Sequence, residues 1–172
     1  METGKLWKWL LLRLVATAML LVFAVFAYAQ PGLPPRTITV TATQPIDFGA
    51  FVPTGEGGTI TVDWHGVRSS TGGVVLVSAS ICKPAIFEVK LCPGRRVTIA
   101  YDSPIQLSNG SGGSLTLNIG PTEMGENGDS FMVTNDCNFI MLFHVGGTLI
   151  IPPGSVPTGL YSGVFDISFT QE

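Results

Sequence analysis

Apolar and polar residues alternate in short runs along most of the chain. "TITVTA" (37–42) sets Ile38 and Val40 against threonines, and "TITVDWH" (59–65) puts Ile60, Val62 and Trp64 on one side. "SLTLNIG" (114–120) does the same with Leu115, Leu117 and Ile119. A period of two is the signature of a half-buried strand. "IDFGAF" (46–51), "SFMVT" (130–134), "FIMLFHV" (139–145) and "TLIIP" (148–152) read as further strands, the last two divided by Gly146-Gly147. "VVLVSA" (74–79) is continuously apolar and reads as a central strand covered on both sides. "FEVKL" (87–91) and "VTIAY" (97–101) flank the Pro-Gly of "CPGRR" (92–96) and read as a hairpin. "TGEGG" (54–58), "RSSTGG" (68–73), "LSNGSGG" (107–113) and "PTEMGENGD" (121–129) read as turns and loops.

The alternation continues almost to the last residue. In "GLYSGVFDISF" the residues Tyr161, Phe165, Ile167 and Phe169 share one side, which predicts a final strand over 160–169 facing the core. The pattern as a whole predicts an all-β fold: a two-sheet antiparallel sandwich, Ig-like or jelly-roll-like in plan, with a closed barrel as the runner-up.

The first 29 residues break this rhythm. Lys5, Lys8 and Arg13 precede the apolar run "LVATAMLLVFAVFAYAQ", and Ala27-Tyr28-Ala29 supplies small residues for cleavage between Ala29 and Gln30. That is the layout of a signal peptide, and the run is shorter than the roughly 20 residues a membrane span needs. The expected organisation is a cleaved signal helix over 1–29, a Pro-rich leader over 30–36 and one β-sandwich domain over 37–172. Export places the mature chain in a secreted, periplasmic or cell-surface location, touching the membrane only through the signal peptide. Cleavage keeps six of nine basic and eleven of twelve acidic residues, a balance of −5. No basic stripe survives, so nucleic acid is not an expected partner.

An oxidising compartment makes the three cysteines informative. Residues 85–91 read as one straight strand, which sets Cys82 and Cys92 about 30 Å apart at roughly 3.3 Å per residue. A disulfide needs Cα atoms within about 7 Å. Cys137 is therefore the expected common partner, with Cys92 or Cys82; three separate thiols is the alternative. No pair has the spacing of a metal site.

Catalytic patterns are absent from the sequence. His65 and His144 are far apart, and Ser69, Ser70 and Ser111 lie in no nucleophile elbow. Glu123, Glu126, Asn127 and Asp129 cluster in one loop, but not at EF-hand spacing, and read as a solvated turn. Trp64 reads as core. The chain is expected not to be an enzyme and to hold no cofactor or metal.

Several stretches resemble one family. Asp47-Phe48-Gly49, the Gly57-Gly58 turn, the strand Thr59 to Asp63, Gly66 with Arg68, "VGGTL" (145–149) and the closing "GLYSGVFDISF" follow one another as in the bacterial secreted family catalogued as a domain of unknown function, family 4402. The stretch "CKPAIFEVKLC" departs from its usual pattern. The resemblance implies an Ig-like sandwich exported by Gram-negative bacteria, similar in character to fimbrial and spore-coat subunits. It implies an exported structural subunit that adds strands to itself or to other surface subunits. Ile38, Val40, Tyr161, Phe165, Ile167 and Phe169 are the candidate assembly strand. The alternative is a monomeric secreted or periplasmic binding module, for example for a glycan.

Overall fold

A computed structural model describes residues 13–15, 38–94 and 96–171 of the chain. It divides into two compact units, residues 1–35 and 36–172. Of the first, only residues 13–15 are described, and they are helical. The predicted cleavage at Ala29 and Gln30 lies outside the described residues. Among the described residues no helix is long and apolar enough to cross a membrane.

The second unit is all-β, with two antiparallel sheets that do not close into a barrel. Its strands are β1 (Thr39–Gln44), β2 (Phe51–Val62), β3 (Arg68–Leu76), β4 (Ala85–Lys90), β5 (Arg96–Tyr101), β6 (Ile105–Ser108), β7 (Ser114–Thr122), β8 (Ser130–Met132), β9 (Ile140–Ile151) and β10 (Ile167–Gln171). The larger sheet runs β1-β4-β9-β2-β3, with β7 also on β9 and β6 on β7; the smaller runs β10-β5-β8. The alternation seen in the sequence becomes the core. Val89 on β4, Val97 and Ile99 on β5, Leu115 and Leu117 on β7, and Phe143 and Val145 on β9 are all buried. Phe143 of β9 and Phe169 of β10 meet edge to face between the sheets at 5.0 Å between ring centroids, and Phe165, just ahead of β10, meets Phe87 of β4 in the same way at 5.9 Å.

The organising element is β9. Val145 pairs with Ala85 of β4 on one edge and Thr122 of β7 on the other. Thr148 pairs with Thr61 of β2 and Asn118 of β7. Each residue of a strand has only two edges, so β7 lines one edge while β4 and then β2 line the other in succession. Gly146 sits at the handover. A Cβ there would lie 2.8 Å from the Val62 carbonyl oxygen, nearer than real Cβ atoms come. The two glycines thus allow a close backbone approach within one twelve-residue strand; they do not divide "FIMLFHV" from "TLIIP".

Other expectations need correction. "FEVKL" and "VTIAY" are not a hairpin: β4 pairs with β1 and β9, and β5 pairs with β10 and β8 in the other sheet. The Pro-Gly reversal carries the chain from one sheet to the other. "VVLVSA" is not a central strand. Residues 74–76 end β3, which pairs only with β2, and Val75 and Val77 face solvent. "TGEGG" and "RSSTGG" lie inside β2 and β3, with the register breaking between Pro53 and Gly58. The final strand covers residues 167–171 rather than 160–169.

Candidate functional site: the sheet edges and the β2–β3 turn

Among the described residues the larger sheet ends on β1, β3 and β6, and β1 and β3 each have a partner strand on one side alone. On β1 five of the six residues are exposed. Val40 opposes the fully buried Val89, yet is itself exposed. On β3, Val75 (57 % exposed) stands directly opposite Val52 (55 %). Natural edges are usually guarded by charge, proline or a short length. Here β1 reads TVTATQ, with no charge, and β3 carries only Arg68. That guanidinium is turned inward, donating to the carbonyls of Phe48 at 3.0 Å and Val77 at 2.8 Å.

The assembly-strand residues named from the sequence divide between two places. Ile38 packs against the core just ahead of β1, which pairs with this chain's own β4. Tyr161, Phe165 and Ile167 pack partly buried against the core, and Phe169 is buried. The strand beside the final one is β5 of the same chain. β1 and β10 are in different sheets; ahead of β10, Phe165 abuts Phe87, whose register partner is Ala42 of β1. Between Ile151 and β10, Ser162 pairs with Ser108, and the Tyr161 hydroxyl donates to the Pro157 carbonyl at 2.7 Å. The structure pairs Cys92 with Cys137 and leaves Cys82 as a free thiol.

The acidic loop serves turn geometry. Asn127 clamps the Tyr101 backbone, accepting from its N–H at 3.1 Å and donating to its carbonyl at 2.9 Å. The Asp129 carboxylate accepts from the Glu126 N–H, and Glu123 meets His144 at 3.1 Å. Among the described residues, no group of three His, Cys, Asp or Glu side chains is placed to hold a metal ion.

The turn between β2 and β3 was missed in the sequence. Trp64 continues the parity of Ile60 and Val62, but β2 ends at Val62, so parity no longer fixes which way it points. It is half-buried, and it is not among the partly buried apolar side chains packed on the core. Its partner is His65, stacked at 3.4 Å between ring centroids. The turn is tightly braced. The Asp63 carboxylate accepts from the Val67 N–H at 2.7 Å, and the Gly66 N–H donates to the Asp63 carbonyl at 2.9 Å. The Cys82 thiol donates to the Gly66 carbonyl at 3.5 Å. Gly66 takes a φ of 84°, which any residue with a Cβ adopts only with strain. No sequence rule separates such a tryptophan from a core one; only the point where the strand stops does.

The family model described as a domain of unknown function (DUF4402) matches residues 38–170, which takes in all ten strands but the last residue of β10. No curated protein and no solved structure gives a significant match. The elements whose order suggested that family are those that build these sheets, from Asp47 bridged to Lys83 through to β10, and the chain belongs to the DUF4402 family.

Proposed function

We propose that this protein is an exported structural subunit, fimbria- or coat-like, that works by adding strands at its sheet edges rather than by catalysis. The observation that carries this reading is a pair of thinly guarded edges, β1 with no charge and β3 with its one charged residue, Arg68, turned inward, neither with a partner strand on its outer side among the described residues. An unpaired row of N–H and C=O groups is a template for another chain's strand, and β-augmentation uses it directly. The partner is a further copy or another surface subunit. Export is supported by the charged, apolar and small-residue order of the first 29 residues, and by a disulfide that an oxidising compartment favours.

The test is electrophoresis of the purified protein without boiling. Assembly by strand addition gives SDS-resistant ladders that collapse to one band on boiling. Lysine is a natural edge guard, so Thr41→Lys on β1 or Val75→Lys on β3 should shorten the ladders while leaving the thermal midpoint unchanged. A wild-type protein that runs as a clean monomer, unboiled and at high concentration, sinks the reading.

A further inference from the structure

We infer that the β2–β3 turn is a binding platform for a neutral saccharide, with Trp64 and His65 as the stacking surface and Asp63 as the acceptor for sugar hydroxyls. Three observations meet there. The first is that a tryptophan half-buried at a turn has no place on the core and instead stacks on His65. Aromatic faces carry negative charge density, which attracts the polarised C–H groups on the flat side of a sugar ring. The His65 side chain is 59 % exposed, so the histidine side of the stack is open to solvent.

The second is a carboxylate oxygen that accepts no hydrogen bond among the described residues and meets only the His65 imidazole at longer range. One Asp63 oxygen is taken by the Val67 N–H at 2.7 Å. The other stands 3.8 Å from His65 Nδ1, too far for a hydrogen bond, and the side chain is 39 % exposed. A carboxylate oxygen beside an aromatic platform suits a hydroxyl-bearing ligand. It disfavours phosphates and acidic sugars, as does a net charge of −3.

The third is rigidity. The bonds across 63–67 and the Cys82 thiol on Gly66 hold the turn in one shape. A preorganised site loses less entropy on binding. A five-residue turn is far smaller than the roughly 20–30 residues a side of a stable protein interface, which favours a small ligand.

The sequence provides a reporter. The tryptophans are Trp7, Trp9 and Trp64, so a full-length W7F/W9F protein has Trp64 alone as its fluorophore. Its emission is titrated with cellotetraose, chitotetraose, maltotetraose and laminaritetraose, and affinities are checked by calorimetry. At least one should give a saturable change with a dissociation constant of about 1 mM or tighter. Trp64→Ala should weaken that binding about tenfold or more with the thermal midpoint unchanged, and Trp64→Phe should retain part of it. Because β1 lies at the opposite end of the sheet order from β2 and β3, Thr41→Lys should bind as the parent does. Failure of all four sugars to bind, or a Trp64→Ala protein that binds like its parent, overturns the inference.

Discussion

Tyr101 is a side chain whose ionisation the fold alters. Its pKa lies above the ordinary value near 10, first because burial penalises the phenolate and then because the Glu126 and Asp129 carboxylates repel it; a hydrogen bond from the Asn127 backbone works against them. The folded chain therefore holds this proton to higher pH than the unfolded chain does. Stability is unaffected below about pH 10 and falls as pH rises from there through the raised value, because the unfolded state then ionises first. Tyr101→Phe removes the proton and should flatten the alkaline limb of a midpoint-versus-pH curve recorded from neutrality to beyond pH 11. An unchanged slope would assign alkaline sensitivity to other groups. The strand "VTIAY" that carries Tyr101 was legible in the sequence; the carboxylates around it were not, since Glu126 and Asp129 arrive from a loop that sequence spacing cannot place.

At the scale of elements, the closing stretch is two different things. Residues 167–171 are a strand on β5, with Phe169 buried against Phe143. Residues 160–166 are an arm in which Tyr161 and Phe165 face inward while Leu160 and Val164 are 87 % and 85 % exposed. Phe169→Ala should cost about 3–5 kcal/mol by urea denaturation, for lost burial and the cavity left behind. Leu160→Ser and Val164→Ser should stay within about 0.5 kcal/mol of wild type. Equal losses at all three positions would mean that the arm packs as a strand. The inward-facing set was readable because period two survives in an arm that is only loosely extended. The strand limits were not readable, because ladder hydrogen bonds depend on a partner, β5, some seventy residues earlier in the chain. Partnership also explains the other misread elements. A continuous apolar run such as "VVLVSA" states that the strand is apolar, not whether a neighbour covers it. A Pro-Gly turn states that the chain reverses, not which sheet it joins next.

For the whole molecule the open question is what holds a seven-stranded and a three-stranded sheet together, since the chain crosses between them repeatedly. Two of those crossings carry the cysteines. Cys92 lies on the passage from β4 to β5, and Cys137 on the passage back from β8 to β9. Their bond spans a sequence separation of 45 residues, and the Gln171 side-chain amide at the end of β10 donates to the Cys92 carbonyl at 3.1 Å. One junction thus joins both sheets and the last strand. Closing a loop of that length in the unfolded chain accounts for about 4 kcal/mol on the chain-entropy account, with 2–4 kcal/mol typical. Cys92→Ser/Cys137→Ser should lower the thermal midpoint by about 10 °C, and reduction of the wild type should reproduce it. Cys82→Ser should do much less, its thiol making a single bond to Gly66. Thiol titration in denaturant checks the pairing independently: of three cysteines, one should react before reduction and three after. Three reactive thiols in protein recovered from an oxidising compartment would remove the clip, and the two sheets would then depend on the Phe143–Phe169 and Phe87–Phe165 contacts with the rest of the apolar core.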